Sequence, residues 1–184
     1  MTVILTTSRL VVRPWTEDPA DLARLADLYG RPEIVKFLGA LRDPPEQLVA
    51  EWRERMAADP RQVVAAYELA GTGVLAGTVL FKPLPDDHRF EIGWHQHPDS
   101  WRHGYATEAA RAVVDRGFRL GVPEVFAVVR GDNVRSMAVC RRLGMRYLGP
   151  TRRYYDNQLE LFHLVAPRPA TPGETERQGG SRGA

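Results

Sequence analysis

Two stretches of this sequence carry residues whose types and spacing suit chemistry. The first is Glu91-Ile92-Gly93-Trp94-His95-Gln96-His97-Pro98-Asp99-Ser100-Trp101-Arg102-His103-Gly104-Tyr105-Ala106-Thr107-Glu108-Ala109. It reads as a strand, a tight loop and the start of a helix, with small Gly104 and Ala106 where the helix begins. Unpaired backbone N–H groups at a helix N-terminus, reinforced by the helix dipole, bind anions. Arg102 and His103 can add charge there, although an ordinary strand-to-helix turn would use the same residue types. The second stretch is Asn133-Val134-Arg135-Ser136-Met137-Ala138-Val139-Cys140-Arg141-Arg142-Leu143-Gly144-Met145. Asn133 suits a helix N-cap, and Ser136 and Cys140 follow on the same stripe. A cap, a small residue and a buried thiol would look the same.

A third stretch, Gly71-Thr72-Gly73-Val74-Leu75-Ala76-Gly77, has the outline of a dinucleotide-binding loop. Such a loop must open a helix, so that the pyrophosphate meets the helix N-terminus. Here β-rich Val74, Val79 and Phe81 follow, which predicts a tight turn and a bulge glycine instead.

The elements that must position these residues follow from periodicity. Arg9 to Trp15 reads as a strand. Asp18 caps a helix that Pro19 begins and Gly30 stops, with Leu22, Leu25 and Leu28 on its apolar stripe. A short helical turn follows from Glu33 to Leu38. A longer helix after Asp43-Pro44-Pro45 carries Leu48, Trp52 and Met56, and Asp59-Pro60 ends it. Strands at 62–69 and 74–81 flank a hairpin turn at 70–73, and 83–88 is a loop. Phe90 to Gln96 sets Phe90, Ile92, Trp94 and Gln96 against Glu91, Gly93 and His95, as a strand should. A helix at 104–120, a strand at 124–130, a helix at 133–143 and strands at 145–151 and 159–165 complete the pattern. The consecutive middle strands predict antiparallel hairpins, and the passage from 90 to 130 predicts one parallel pair. The expected class is α/β: a mixed, mostly antiparallel sheet of about seven strands with four main helices.

A chain of 184 residues suits one domain, expected over residues 1–166. From Pro167 the sequence is rich in Pro, Gly and small polar residues, so 167–184 is expected to be a flexible tail. No run nears the roughly 18 apolar residues of a membrane helix, and Met1 to Thr7 does not read as a secretory signal. A net charge of +2 excludes a protein whose main task is coating nucleic acid. Lys36 and Lys82 are the two lysines, so the basic residues are nearly all arginine, whose fork matches phosphate. The single cysteine, Cys140, excludes an intrachain disulfide and a cysteine-cluster zinc site. No metal is expected, and a reducing, cytoplasmic setting is.

Together the two chemical stretches resemble the acetyl-CoA-binding core of the GNAT N-acetyltransferase superfamily. Trp101 to Ala106 resembles its pyrophosphate loop, and Asn133 to Met145 its later helix-glycine-strand motif. The runs Gly-Tyr-Ala-Thr-Glu-Ala, Asn-x-x-Ser and Leu-Gly-Met, with the opening Thr7-Ser8-Arg9-Leu10-Val11-Val12-Arg13-Pro14-Trp15, look most like the branch that includes the ribosomal-protein N-terminal acetyltransferases. The resemblance covers residues 7 to 165. It implies the acyl-CoA N-acyltransferase fold, a splayed sheet with pantetheine between the strands ending near Gln96 and Val129. Trp94, His95 and Gln96 would pair with the pantetheine through their backbone. The loop of Trp101, Arg102, His103, Gly104, Tyr105, Ala106 and Thr107 would hold the pyrophosphate. Asn133 and Ser136 would touch the pantetheine arm or the thioester.

The implied chemistry is direct attack of a neutral amine on the thioester. It needs a proton acceptor, an oxyanion partner and a donor for the departing thiolate. Many members place a tyrosine donor where this chain has Cys140. A thiol is mostly protonated at neutral pH, so Cys140 is one candidate donor, Ser136 a second and solvent a third. Glu91 and His95 face the same side of their strand, roughly 13 Å apart, and both are candidate bases. Glu160 is a third, and an ion pair of Glu91 with Arg89 or Arg130 is the structural alternative. The implied partners are acetyl-CoA and an amine acceptor, a protein N-terminal α-amine first and a small-molecule amine second. A non-catalytic acyl-CoA-binding module is the alternative from another class. A homodimer is compatible with the sequence, whereas neither a membrane nor nucleic acid is an expected partner.

Overall fold

The computed structural model describes residues 2–85 and 87–167. The expected tail therefore lies outside the described residues from Arg168 onward. The chain opens with β1 (Leu5–Thr6), which pairs antiparallel to β2 (Leu10–Pro14). Helices α1 (Pro19–Gly30), α2 (Pro32–Leu38) and α3 (Pro45–Ala58) follow. Each begins with proline, whose missing N–H costs nothing at a first helical position. Asp18 caps α1 as expected, its Oδ1 accepting the Ala20 N–H at 2.8 Å. Strands β3 (Val63–Leu69), β4 (Leu75–Pro83) and β5 (Phe90–Gln96) form an antiparallel meander. A single 3-10 turn (Pro98–Ser100) leads into α4 (Tyr105–Arg119), then β6 (Glu124–Val129), α5 (Val134–Arg142), β7 (Arg146–Thr151) and β8 (Leu159–Val165).

The described residues thus hold eight strands and five α-helices, where about seven strands and four main helices were expected. The extra strand, β1, is two residues long and shows no alternation to read. The sheet order is β1-β2-β3-β4-β5-β6-β8-β7, antiparallel throughout except for the expected parallel pair β5–β6. Alternation along β3 separates two cores. Val63, Ala65 and Tyr67 join a core with residues of α4 and α5. Ala66, between them, joins one with Trp15, Leu25, Leu28 and Val49 from the α1–α3 side. A third cluster, with Phe126, Tyr154 and Leu159, closes the β6–β8 half. The stripe expected along α3 is only half-buried, and Val49 is its core residue.

Gly77 does not serve a nucleotide. It pairs with Tyr67 beside the irregularity at Tyr67/Glu68, and a Cβ there would collide with the His95 carbonyl and the Tyr67 hydroxyl. Among the described residues, no helix is long and apolar enough to cross a membrane.

Candidate active site

The parallel strands β5 and β6 pair only at Phe90–Val125 and Glu91–Phe126. Beyond those residues β5 stays on β4 as far as Gln96, and β6 stays on β8 as far as Val129. Their facing edges therefore separate and leave a wedge in the sheet. Ladder groups on such edges must find another partner, and an extended, amide-bearing ligand supplies one. The wedge opens into a cavity of about 1520 Å³, walled by residues 92–96 on one side and 127–130 on the other.

Helix α4 points its N-terminus into the mouth of this cavity. Arg102 (φ 70°) and Gly104 (φ 78°) both take the left-handed backbone that turns the chain into the helix. Gly104 does so without strain, and a Cβ there would face open space, with Arg9 Nη2 at 3.8 Å its nearest neighbour. Among the described residues, the amides of His103, Gly104, Tyr105 and Thr107 make no hydrogen bond. The Thr107 hydroxyl is buried and also has no partner among them. Buried polar groups left so are costly unless a ligand completes them. Arg102, Arg111, Arg135 and Arg142 add positive charge to the same end of the cavity. This donor set fits a pyrophosphate.

The loop is pinned from behind. His97 is buried, with Asp27 at 2.9 Å on one ring nitrogen and Asp99 at 2.8 Å on the other. Trp101 Nε1 donates to the Gln96 carbonyl at 2.9 Å, and the Arg135 guanidinium lies 4.1 Å from the centre of the Trp101 ring. One expectation changes here. Gln96 Oε1 accepts the Ala106 N–H at 3.1 Å and the Gln96 carbonyl accepts from Trp101, so both groups already have a partner within the fold. The Tyr105 ring packs on Arg9 (4.9 Å) and His103 (5.2 Å) outside the cavity, while its amide is among those without a partner. Arg9 also binds Glu108, whose carboxylate accepts the Thr7 hydroxyl at 2.5 Å, so the opening Thr-Ser-Arg run fastens to α4.

Trp94, His95, Gln96, Trp101, Arg102, His103, Gly104, Ala106, Thr107, Asn133, Ser136 and Glu91 all line the one cavity. Asn133 caps α5, its Oδ1 accepting the Ser136 N–H at 3.1 Å. Cys140 is not brought to the cleft. It is fully buried in the core with Leu143 and Met145, and burial pushes its thiol up to about 12. Spacing put Cys140 on the Ser136 stripe, but one turn further along α5 that stripe passes beneath the cavity wall. Glu160 is also excluded from the cleft, because its carboxylate accepts the Tyr147 hydroxyl across β7 and β8.

On the cavity face of β4 and β5, the register sets Lys82 opposite Glu91, Leu80 opposite Gly93 and Thr78 opposite His95. Glu91 is buried and paired with Lys82 at 2.6 Å, not with Arg89 or Arg130. It also accepts a hydrogen bond from the hydroxyl of Tyr155, a cleft-lining residue of the β7–β8 loop that no local pattern marks out. His95 Nδ1 lies 2.7 Å from the Tyr29 hydroxyl. Burial, with Lys82 nearby, pulls His95 down to about 4, so its ring is neutral at pH 7.

Comparison with known proteins agrees with this architecture. The model of the acetyltransferase (GNAT) domain matches residues 9–146. An uncharacterized N-acetyltransferase of Bacillus subtilis is 30% identical over 175 residues, which is 90% of this chain and 98% of that protein. The crystal structure of an acetyltransferase from Agrobacterium tumefaciens superposes with a TM-score of 0.73 at 25% identity, covering 87% of this chain and 92% of that one. An aminoglycoside acetyltransferase solved in complex with coenzyme A shares the fold, with a TM-score of 0.64 at 18% identity over 85% of this chain and 94% of its own. The matched domain spans both sides of the wedge and the helix that points into it, and the chain belongs to the GNAT acetyltransferase family.

Proposed function

We propose that this enzyme transfers the acetyl group of acetyl-CoA to a primary amine, with a protein N-terminal α-amine as its acceptor. The observation that carries the reading is the wedge between β5 and β6 with the α4 N-terminus at its mouth. The fold relative that holds coenzyme A supports the same occupant. The amides of residues 103–105 and 107 and the Thr107 hydroxyl would hold the pyrophosphate, and the open edges of β5 and β6 the pantetheine. Asn133 and Ser136 would flank its inner end. When bound, the thioester supplies an activated acetyl carbon and a thiolate leaving group.

Glu91 acts as the base in this reading. As the amine nitrogen bonds to the acetyl carbon, its surplus proton passes to the Glu91 carboxylate and on to water. Water at the open cleft protonates the departing thiolate, since Cys140 is buried away from it. The transferase domain is residues 1–166 in this account.

The acceptor choice rests on proton affinity. An α-amine has a pKa near 8 and a lysine near 10.4, so deprotonating lysine costs about 3.3 kcal/mol more. A buried carboxylate already paired with Lys82 is a modest base, which suits the α-amine. The resemblance of residues 7–15, 104–109, 133–136 and 143–145 to the ribosomal branch points the same way. Thiol release from acetyl-CoA tests it directly. A peptide with a free N-terminus should release thiol at least tenfold faster than the same peptide N-terminally blocked and carrying one lysine. Equal rates would sink the α-amine assignment, and turnover confined to small amines would replace it with the alternative acceptor class.

A further inference from the structure

The β7–β8 loop carries two successive non-glycine residues in left-handed backbone, Tyr155 (φ 59°) and Asp156 (φ 49°). Such conformations are disfavoured for residues with side chains and persist where surrounding contacts hold them. The contacts here converge on one buried group. Asn157 Nδ2 donates to the Tyr155 carbonyl at 2.7 Å, which fixes the turn. Tyr155 is 41% exposed, yet its hydroxyl reaches inward to the Glu91 carboxylate across 64 positions of chain. Lys82 Nζ completes a triangle, 2.9 Å from the Tyr155 hydroxyl and 2.6 Å from Glu91. A strained surface turn thus delivers a donor to a buried carboxylate inside the cavity.

We propose that Tyr155 and Lys82 are positioning residues that fix the Glu91 carboxylate and aim it into the cleft, where an incoming amine gives up its proton. The inference rests on Glu91 as the base of the proposed transfer. Bonds donated by Tyr155 and Lys82 fix the Glu91 oxygens in one orientation. Burial of the Tyr155 hydroxyl, with the Glu91 charge second, keeps the tyrosine proton in place, so Tyr155 donates rather than ionises. The other charged or titratable groups nearby are Arg55 of α3, which acts on Tyr155, and His95 on the strand of Glu91, which burial, with Lys82 second, keeps neutral. The residue facing Glu91 from β6 is Phe126, which carries no charge.

The test reads Glu91 in the free protein, independently of any transfer. Its carboxyl carbon is titrated by 13C NMR in wild type, Tyr155→Phe, Lys82→Met and the control Tyr147→Phe. Losing a donor to the ionised form raises a carboxyl midpoint, here by about half a unit or more in Tyr155→Phe and further in Lys82→Met. Tyr147 serves Glu160 instead, so its variant should titrate at Glu91 as wild type does. In turnover, the acid limb of kcat/KM should move up with the same midpoint. An unchanged Glu91 midpoint in both folded variants overturns the proposal, as does an equal shift in the Tyr147 control. If Tyr155→Phe does not fold, Lys82→Met decides in the same way. A shifted midpoint in a protein with no transfer activity would uphold the triangle and reject the acetyltransferase mechanism built on it.

Discussion

Cys140 shows how a residue of suitable chemistry is disarmed by its position. Its thiol is buried and held protonated up to about 12, so it serves packing. Cys140→Ala should cost about 1–2 kcal/mol of stability while leaving kcat within about twofold. Thiol reagents should label Cys140 only after denaturant is added, and fast labelling of the native protein would contradict its burial. Glu91 is the opposite case. Glu91→Gln keeps the volume and removes the base, so kcat should fall by about 10²-fold or more with acetyl-CoA affinity retained. Steady-state kinetics beside calorimetry separates those two effects, and an unchanged kcat would move the base elsewhere.

At the scale of elements, the α4 N-terminus makes the sharpest claim. The phosphate donors proposed there are backbone amides, so deleting one side chain should matter less than obstructing the backbone. Arg102 is exposed, and Arg102→Ala should weaken acetyl-CoA by about 1 kcal/mol. Gly104→Val would place branches in the open space before the helix and force φ 78° on a β-branched residue. Its loss of affinity should be far greater, in a protein that circular dichroism shows still folded. Strand β5 makes a pH-dependent claim. The His95 pKa drops from 6.5 in the unfolded chain to about 4 in the fold. The unfolded chain therefore binds more protons between those values, and stability falls as pH drops from 6.5 toward 4. His95→Gln should flatten that part of the melting profile, and an identical slope in the variant would show that His95 stays charged when folded.

At the scale of the whole molecule, what was legible in the sequence was local. Alternation gave β5 the bounds Phe90–Gln96, and Asp18-Pro19 gave α1 its start, because caps and period-two patterns are written in adjacent residues. The turn into α4 was legible for the same reason: Gly104 and the helix it opens are neighbours. Tyr155 was not, because its value lies in a contact with Glu91 across 64 positions, set by how β7 and β8 fold back on β6. Lys82 could have been found by pairing β4 with β5 through their hairpin, which sets it opposite Glu91. Cys140 misled because helical spacing fixes a direction around the axis and says nothing of depth. The Ala106 amide misled because the Gln96 side chain turns inward to cap α4, and no pattern announces that.

Acetyl-CoA lying in the wedge with its pyrophosphate on α4 would cover backbone amides on both elements. Amide hydrogen exchange, read with and without acetyl-CoA, tests this most directly. Exchange should slow in two segments at once, 92–96 on the open edge of β5 and 103–107 at the start of α4. Saturable binding that leaves both segments exchanging as in the free protein would contradict it.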